Sequence, residues 1–236
     1  TAMPNRFPCL IVMLALASTP VLAQDSATED AAVVQSRSFL NSHPDLRYRI
    51  AGMKAYQKSQ YAEALRYFRL GAYYADKPSQ AMVAEMLWKG EGADRNRVEG
   101  YIWMDLAAER LFKDLIIKRE QFWSELSVDE RAQAIKAGQS FYNKYGDAVA
   151  KPRVEKILER DRRNITGSRV GFVGTLKIEI PGPGGMPIQI NGEDFYQDKF
   201  WKPEAYWSWQ NVTWKALPTG TVTTSELKPV APEKKP

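Results

Sequence analysis

Cysteine and histidine are almost missing. The chain of 236 residues holds one of each, Cys9 and His43. A lone thiol excludes an intramolecular disulfide, and one Cys with one His cannot assemble a zinc centre, which normally takes three or four N or S ligands. Cys9 also lies in a stretch with the pattern of an export signal. Arg6 gives a positive start, Leu10 to Ala17 an apolar run, and Val21-Leu22-Ala23 a small-residue cleavage pattern, so Met3 to Ala23 is expected to be removed before Gln24. Thr1 and Ala2 precede the first methionine. The apolar run is too short to span a bilayer, and no later stretch reaches transmembrane length. An exported chain whose mature part has no cysteine fits a bacterial periplasm or the exterior.

Catalytic groupings are scarce too. His43 precedes Pro44 in a helix-start loop, which favours a structural role. No nucleophile, base and orienting group come together for acyl transfer. Asp105 with Glu109, and Glu91 with Asp94, are acidic pairs of the type a glycosidase needs. Asp105 and Glu109, however, share a helix face beside Arg110, and Asp94 suits the cap of the following helix. Gly182 to Gly185 lacks the Gly-Lys-Ser/Thr of a phosphate loop. The expectation is a protein with no catalytic residues, no metal and no cofactor.

What the chain does have is a repeat. Residues 82–110 read MVAEMLWKGEGADRNRVEGYIWMDLAAER, two helical patterns around a Gly-acidic loop. Ala84 and Leu87, the Gly90-Glu91-Gly92 turn, Asp94, Gly100, Trp103, Ala107 and Ala108 resemble a Sel1-like repeat, a tetratricopeptide-like helix pair. The family usually has Ala where Gly100 stands and Tyr where Trp88 stands. Sliding the chain on itself places Ala64, Tyr67, Leu70, Gly71 and Ala72 over Gly100, Trp103, Leu106, Ala107 and Ala108 at a constant offset of 36. Ala51 and Met53 fall over Ala84 and Met86 at 33, so the first copy is about three residues shorter at its turn.

The resemblance implies a mainly α fold, a Sel1/TPR-like α-solenoid of helix pairs, with a partner protein or peptide on its concave surface. Under it Ala84, Gly90, Gly92, Ala107 and Ala108 are structural, and Trp88, Tyr101 and Trp103 are candidate partner contacts. The organisation expected is a signal at 1–23, a leader and short helix at 24–45, the repeats at 46–147, a basic helix at 148–164, a small β-rich aromatic part at 165–227 and a flexible tail at 228–236.

Periodicity fills in the rest. Leu111, Leu115, Phe122 and Leu126 keep helical spacing, Ser127-Val128-Asp129-Glu130 is a capping box, and Val128, Ala132, Ile135 and Tyr142 continue the apolar stripe toward a stop at Gly146. Leu176, Ile178 and Ile180 alternate as a strand, and Ile188 and Ile190 begin another. Asn191-Gly192 has the signature of a two-residue hairpin turn. Lys202-Pro203-Glu204 starts a short helix through Trp209, and Thr221 to Leu227 is a candidate edge strand.

Two features remain. Lys151 to Arg169 carries seven basic residues against three acidic ones. Lys156, Arg160, Arg162 and Arg163 there form either a solvated face or a site for an anionic partner. Nucleic acid is disfavoured by export and by the lack of aromatics in that stretch. Phe195 to Trp214 holds eight aromatics, four of them tryptophan. They supply either the core of a small domain without disulfides or, through Trp201, Trp207 and Trp209, a surface that stacks on peptidoglycan or another glycan. A non-enzymatic exported adaptor and a glycan-binding module are thus the two functions the sequence carries.

Overall fold

Short polar breaks cut the chain into helices that pair. A computed structural model describes residues 30–165, 177–181 and 187–215. The expected signal, the leader to residue 29, residues 166–176 with Leu176 of the expected first strand, residues 182–186, and the candidate strand at 221–227 with the expected tail lie outside the described residues. Helical residues 30–35 (α1) and α2 (Arg37–Ser42) lead into the first pair, α3 (Pro44–Gln57) and α4 (Tyr61–Tyr73). The second pair is α5 (Lys77–Lys89) with α6 (Arg97–Ala107), and α7 (Lys113–Glu125) and α8 (Val128–Tyr145) each pack on α6. The basic segment is α9 (Asp147–Ile165). An antiparallel hairpin, β1 (Lys177–Pro181) and β2 (Pro187–Asn191), precedes α10 (Gly192–Phe195), α11 (Asp198–Trp201) and α12 (Pro203–Lys215). Among the described residues the protein is a mainly α stack of paired helices with one small sheet.

The pairs form because each apolar stripe has nowhere else to go. Ala64, Leu65, Phe68 and Ala72 of α4, Val83, Ala84 and Leu87 of α5, and Trp103, Leu106 and Ala107 of α6 are buried in one continuous core. Burying a large apolar side chain of this kind contributes roughly 1.5–3 kcal/mol. The small residues set how near the helices come. A Cβ on Gly100 would stand 3.1 Å from the Ala84 carbonyl oxygen and 3.3 Å from the Trp88 nitrogen, so glycine lets α6 lie close against α5. The turns differ as the repeat offset requires. Lys58–Gln60 joins the first pair and Gly90–Asn96 the second, four residues more against an expected three.

Helix ends follow their sequence signals closely. Asp76 accepts from the Ser79 N–H at 2.9 Å, and Ser127 and Glu130 form the reciprocal capping box. Gly90 closes α5 in the left-handed conformation. The cap of α6, however, is Asn96, whose side chain accepts from the Glu99 N–H, and not Asp94.

Three more expectations are corrected. Asn191-Gly192 is not a hairpin turn: Asn191 is extended at φ −68°, the strands pair from Lys177↔Asn191 to Pro181↔Pro187, and Gly192 opens α10. A type I′ turn needs positive φ at both central residues. Leu111 leaves the α7 stripe, sitting at positive φ and 71% exposed after the 3-10 turn Ala108–Arg110. Val128 and Ile135 also point outward, 80% and 71% exposed. Tyr142 does pack on the core, together with Phe141 and Tyr145, which meet Trp103, while Ala134 is buried one turn after the capping box's end.

The two ends of the described chain meet. Val33, Phe39 and Leu46 share a core with Ile190, Phe195, Phe200 and Trp201. Ala150, Val154 and Leu158 of α9 share another with Ala75, Tyr206 and Trp207. The aromatic segment therefore covers the beginning of the stack and α9, and its residues from Phe195 to Trp214 sit on or between helices.

Candidate functional site

A groove of about 540 Å³ opens between α4, the α5–α6 turn and the end of α8. Its position follows from helix spacing. Ala62, Arg66, Arg69 and Tyr73 recur along the face of α4 opposite the buried Ala64, Phe68 and Ala72, so they line the opening while the others hold the helix in the core. Leu65 and Leu70 supply apolar floor. Gly92 and Ala93 form one wall. Gly92 has φ +81°, and a Cβ there would stand 2.4 Å from the Tyr61 carbonyl oxygen, so only glycine lets the turn lie against the start of α4. Lys144 and Tyr145 form the other wall, with Tyr145 held against Trp103 at 4.6 Å between ring centroids.

The rim is cationic. Arg66 is 63% exposed and 3.8 Å from Glu63, and Arg69 is 43% exposed and 3.4 Å from Glu99. Glu99 also accepts from the Trp103 indole N–H at 3.1 Å. Lys144 lies over the Tyr145 ring and makes no ion pair among the described residues. At the Tyr73 end, Arg153 stacks on that ring at 3.8 Å and donates to the Tyr73 carbonyl at 2.7 Å. Beyond Tyr73 runs a tyrosine band: Tyr74, Tyr48 and Tyr67 stack in series, with Arg47 over Tyr48 and Arg66 over Tyr67. Tyrosine and arginine side by side are the residue types that dominate binding hot spots.

None of these groove residues is a partner contact anticipated from sequence. The stripe of α4 identifies the buried face, and its complement, Arg66, Arg69 and Tyr73, was legible there as the face left over. What no periodicity shows is that Lys144 and Arg153, far along the chain, come to the same rim.

The expected partner contacts are mostly interior. Trp103, Trp201, Trp207 and Trp88 are buried, so their indoles are not open to a partner. Trp88 stacks on Phe122, Trp201 donates to the Phe195 carbonyl at 2.6 Å, and Trp207 donates to Glu155 at 2.8 Å under Arg110 and Lys151. Tyr101 is half-buried against Trp123, and burial pushes its phenol up to about 12. Trp209 is half-buried against Phe200 and Tyr206. The helix expected through Trp209 is α12, which runs on to Lys215. The small residues Ala84, Ala107 and Ala108 are buried in the repeat core. On α9, Lys156, Arg160, Arg162 and Arg163 face outward, with Arg160 paired to Asp161 at 2.7 Å.

The acidic pairs have structural partners. Glu109 accepts from Lys77 at 2.6 Å and from the Asp147 N–H, and Asp105 accepts from the Tyr142 hydroxyl at 3.0 Å. Glu91 accepts from the Tyr56 hydroxyl, which holds that phenol up near 12. Lys77 is fully buried, and its pKa is lowered by desolvation against the pull of Asp147 and Glu109. Burial would raise Asp147, but the Arg110 guanidinium, Lys77 and Lys151 outweigh it and hold the carboxyl well below the usual range. His43 is also interior, stacked on Phe39 at 3.6 Å, its Nδ1 2.7 Å from the Phe39 oxygen and its Nε2 2.8 Å from the Phe200 oxygen. Among the described residues no group of three or more His, Cys, Asp or Glu is placed to hold a metal. No described helix is long and apolar enough to cross a membrane.

No family model matches the chain, and no curated protein matches it. Among solved structures it is similar to the crystal structure of c5321, a protective antigen present in uropathogenic Escherichia coli strains displaying an SLR fold. The identity is 19%, with 48% of this chain and 25% of that chain covered, at a TM-score of 0.41. The chain thus spans about a quarter of that protein's length.

Proposed function

We propose that the protein is a non-enzymatic, exported adaptor of Sel1-like type that binds a protein or peptide in the groove between α4 and the end of α8. The observation that carries this reading is the groove itself: about 540 Å³, with Leu65 and Leu70 at its floor and exposed Arg66, Arg69 and Tyr73 at its edge. Ligand sites commonly have that size, an apolar lining and a few placed polar groups. Export is supported by the Arg6, Leu10–Ala17 and Val21-Leu22-Ala23 pattern, and with it a place in the periplasm or outside the cell.

The glycan-binding alternative loses its basis in the aromatic segment, because Phe195, Phe200, Trp201, Tyr206 and Trp207 are core. The test is a peptide-display selection against folded residues 24–236, with selected peptides re-tested on a Leu70→Asp/Tyr73→Ala variant. Recovered peptides should lose at least tenfold in affinity on that variant, and peptides that bind it unchanged would place the site elsewhere. A selection that enriches no sequence would sink the adaptor reading.

A further inference from the structure

The groove's charge narrows what it takes. Four cations edge it, Arg66, Arg69, Lys144 and, beside Tyr73, Arg153, and two carboxylates answer them, Glu63 and Glu99. Those two are only partly committed to the rim. Glu63 is 3.8 Å from Arg66 with both side chains exposed, and such a pair contributes little. Glu99 divides its oxygens between Arg69, the Trp103 indole and the amide of Asn96. A guanidinium has five N–H donors, and Arg69, which donates to Glu99 at 3.4 Å and lines the groove, has donors left for a ligand. Arg66 and Arg69 lie three residues apart on one helix face, so they present their forks side by side. Arg153 is already fixed by its stack on Tyr73, which reduces the side-chain entropy lost when it takes a ligand.

The apolar part fits the same ligand. Leu65, Leu70, Ala62 and Ala93 give the groove apolar lining beside the cations of α4 and Lys144. A peptide that carries both acidic and aliphatic side chains would pair its carboxylates with the rim cations and rest an aliphatic group on the apolar lining. In an extended peptide successive side chains point to opposite faces, so an acidic and an aliphatic neighbour meet different walls of the groove. Arg pairs bidentately with carboxylate, which adds geometry to the attraction.

We propose that the groove is a site for an acidic peptide segment, whose Asp or Glu side chains pair with Arg66, Arg69 and Lys144 while an aliphatic side chain rests on Leu65 and Leu70. This rests on the adaptor reading and names the chemistry of its partner.

The test is fluorescence anisotropy with labelled peptides of equal length alternating Glu/Leu, Ser/Leu or Lys/Leu, and with a heparin oligosaccharide as an acidic glycan. The Glu/Leu peptide should bind at least tenfold more tightly than Ser/Leu, weaken with added salt, and lose at least tenfold on Arg66→Glu/Arg69→Glu. The charge-reversed variant should instead gain affinity for Lys/Leu. Arg66→Gln/Arg69→Gln serves as a milder variant, with an intermediate loss expected. Equal binding of Glu/Leu and Ser/Leu, or an unchanged affinity in both variants, would overturn the acidic preference and leave the adaptor reading standing. Binding of heparin with no peptide bound would overturn both.

Discussion

At the residue scale, His43 and Asp45 tie the two ends of the chain together and oppose each other in pH dependence. Burial lowers the His43 imidazole from 6.5 to about 4, against the two carbonyls of Phe39 and Phe200, which favour the protonated ring. Burial raises Asp45 from 3.8 to about 6, with Asp76 adding to the rise, while the Tyr206 hydroxyl 2.5 Å away works against it. A group depressed on folding, such as His43, contributes stability that is present above about 6.5 and lost as pH falls toward 4. A carboxyl raised on folding does the opposite, so Asp45 contributes stability that is present below about 3.8 and lost as pH rises through 6. Between pH 4 and 6 the two slopes oppose, and Asp45→Asn removes one of them. Urea unfolding of that variant between pH 4 and 6.5 should show a steeper loss of stability on acidification than the parent. Because the chain has one histidine, its imidazole NMR signals need no assignment. They should show a neutral ring from pH 8 to 5, and a midpoint near 6.5 would contradict the burial described here.

At the element scale, the turn between α5 and α6 is the most constrained piece of backbone. Gly92→Ala would strain a left-handed residue and press a methyl against the Tyr61 carbonyl oxygen, with an expected loss of about 1–3 kcal/mol. Gly138, inside α8, has nothing within 4 Å of its missing Cβ, so Gly138→Ala should stabilise by about 0.5–1 kcal/mol through helix propensity alone. Thermal unfolding of the two variants should move in opposite directions. The elements were legible where local chemistry decides them: the Ser127 capping box, the turn at Gly90 and Pro203 at the start of α12. They were not where tertiary contact decides. The α8 stripe turns Val128 and Ile135 outward because Phe141 and Tyr145 are the residues that reach Trp103. Asn191-Gly192 carries a turn signature, yet Gly192 and Phe195 are buried in the core shared with Phe39, and the chain enters a helix there.

At the scale of the whole molecule, the aromatic segment is a cover for the helical stack and not a module hung from it. Tyr206 reaches Asp45 across the sequence, the Phe200 carbonyl reaches His43, and Lys199 reaches Asp30 at 2.6 Å. Composition announced a dense aromatic cluster, but only the docking of α11 and α12 on α3 and α9 decides that it faces inward. The groove was hidden for a related reason: Arg66 and Lys144 are far apart in sequence and line one groove only because α8 packs on α6 and reaches α4. The account's central claim is that partners bind there. Hydrogen–deuterium exchange of residues 24–236, with and without a peptide from the display selection, tests it most directly. Slowed exchange over residues 62–73, at 92–93 and at 144–145 is the predicted result, and slowing confined to 195–214 would contradict it.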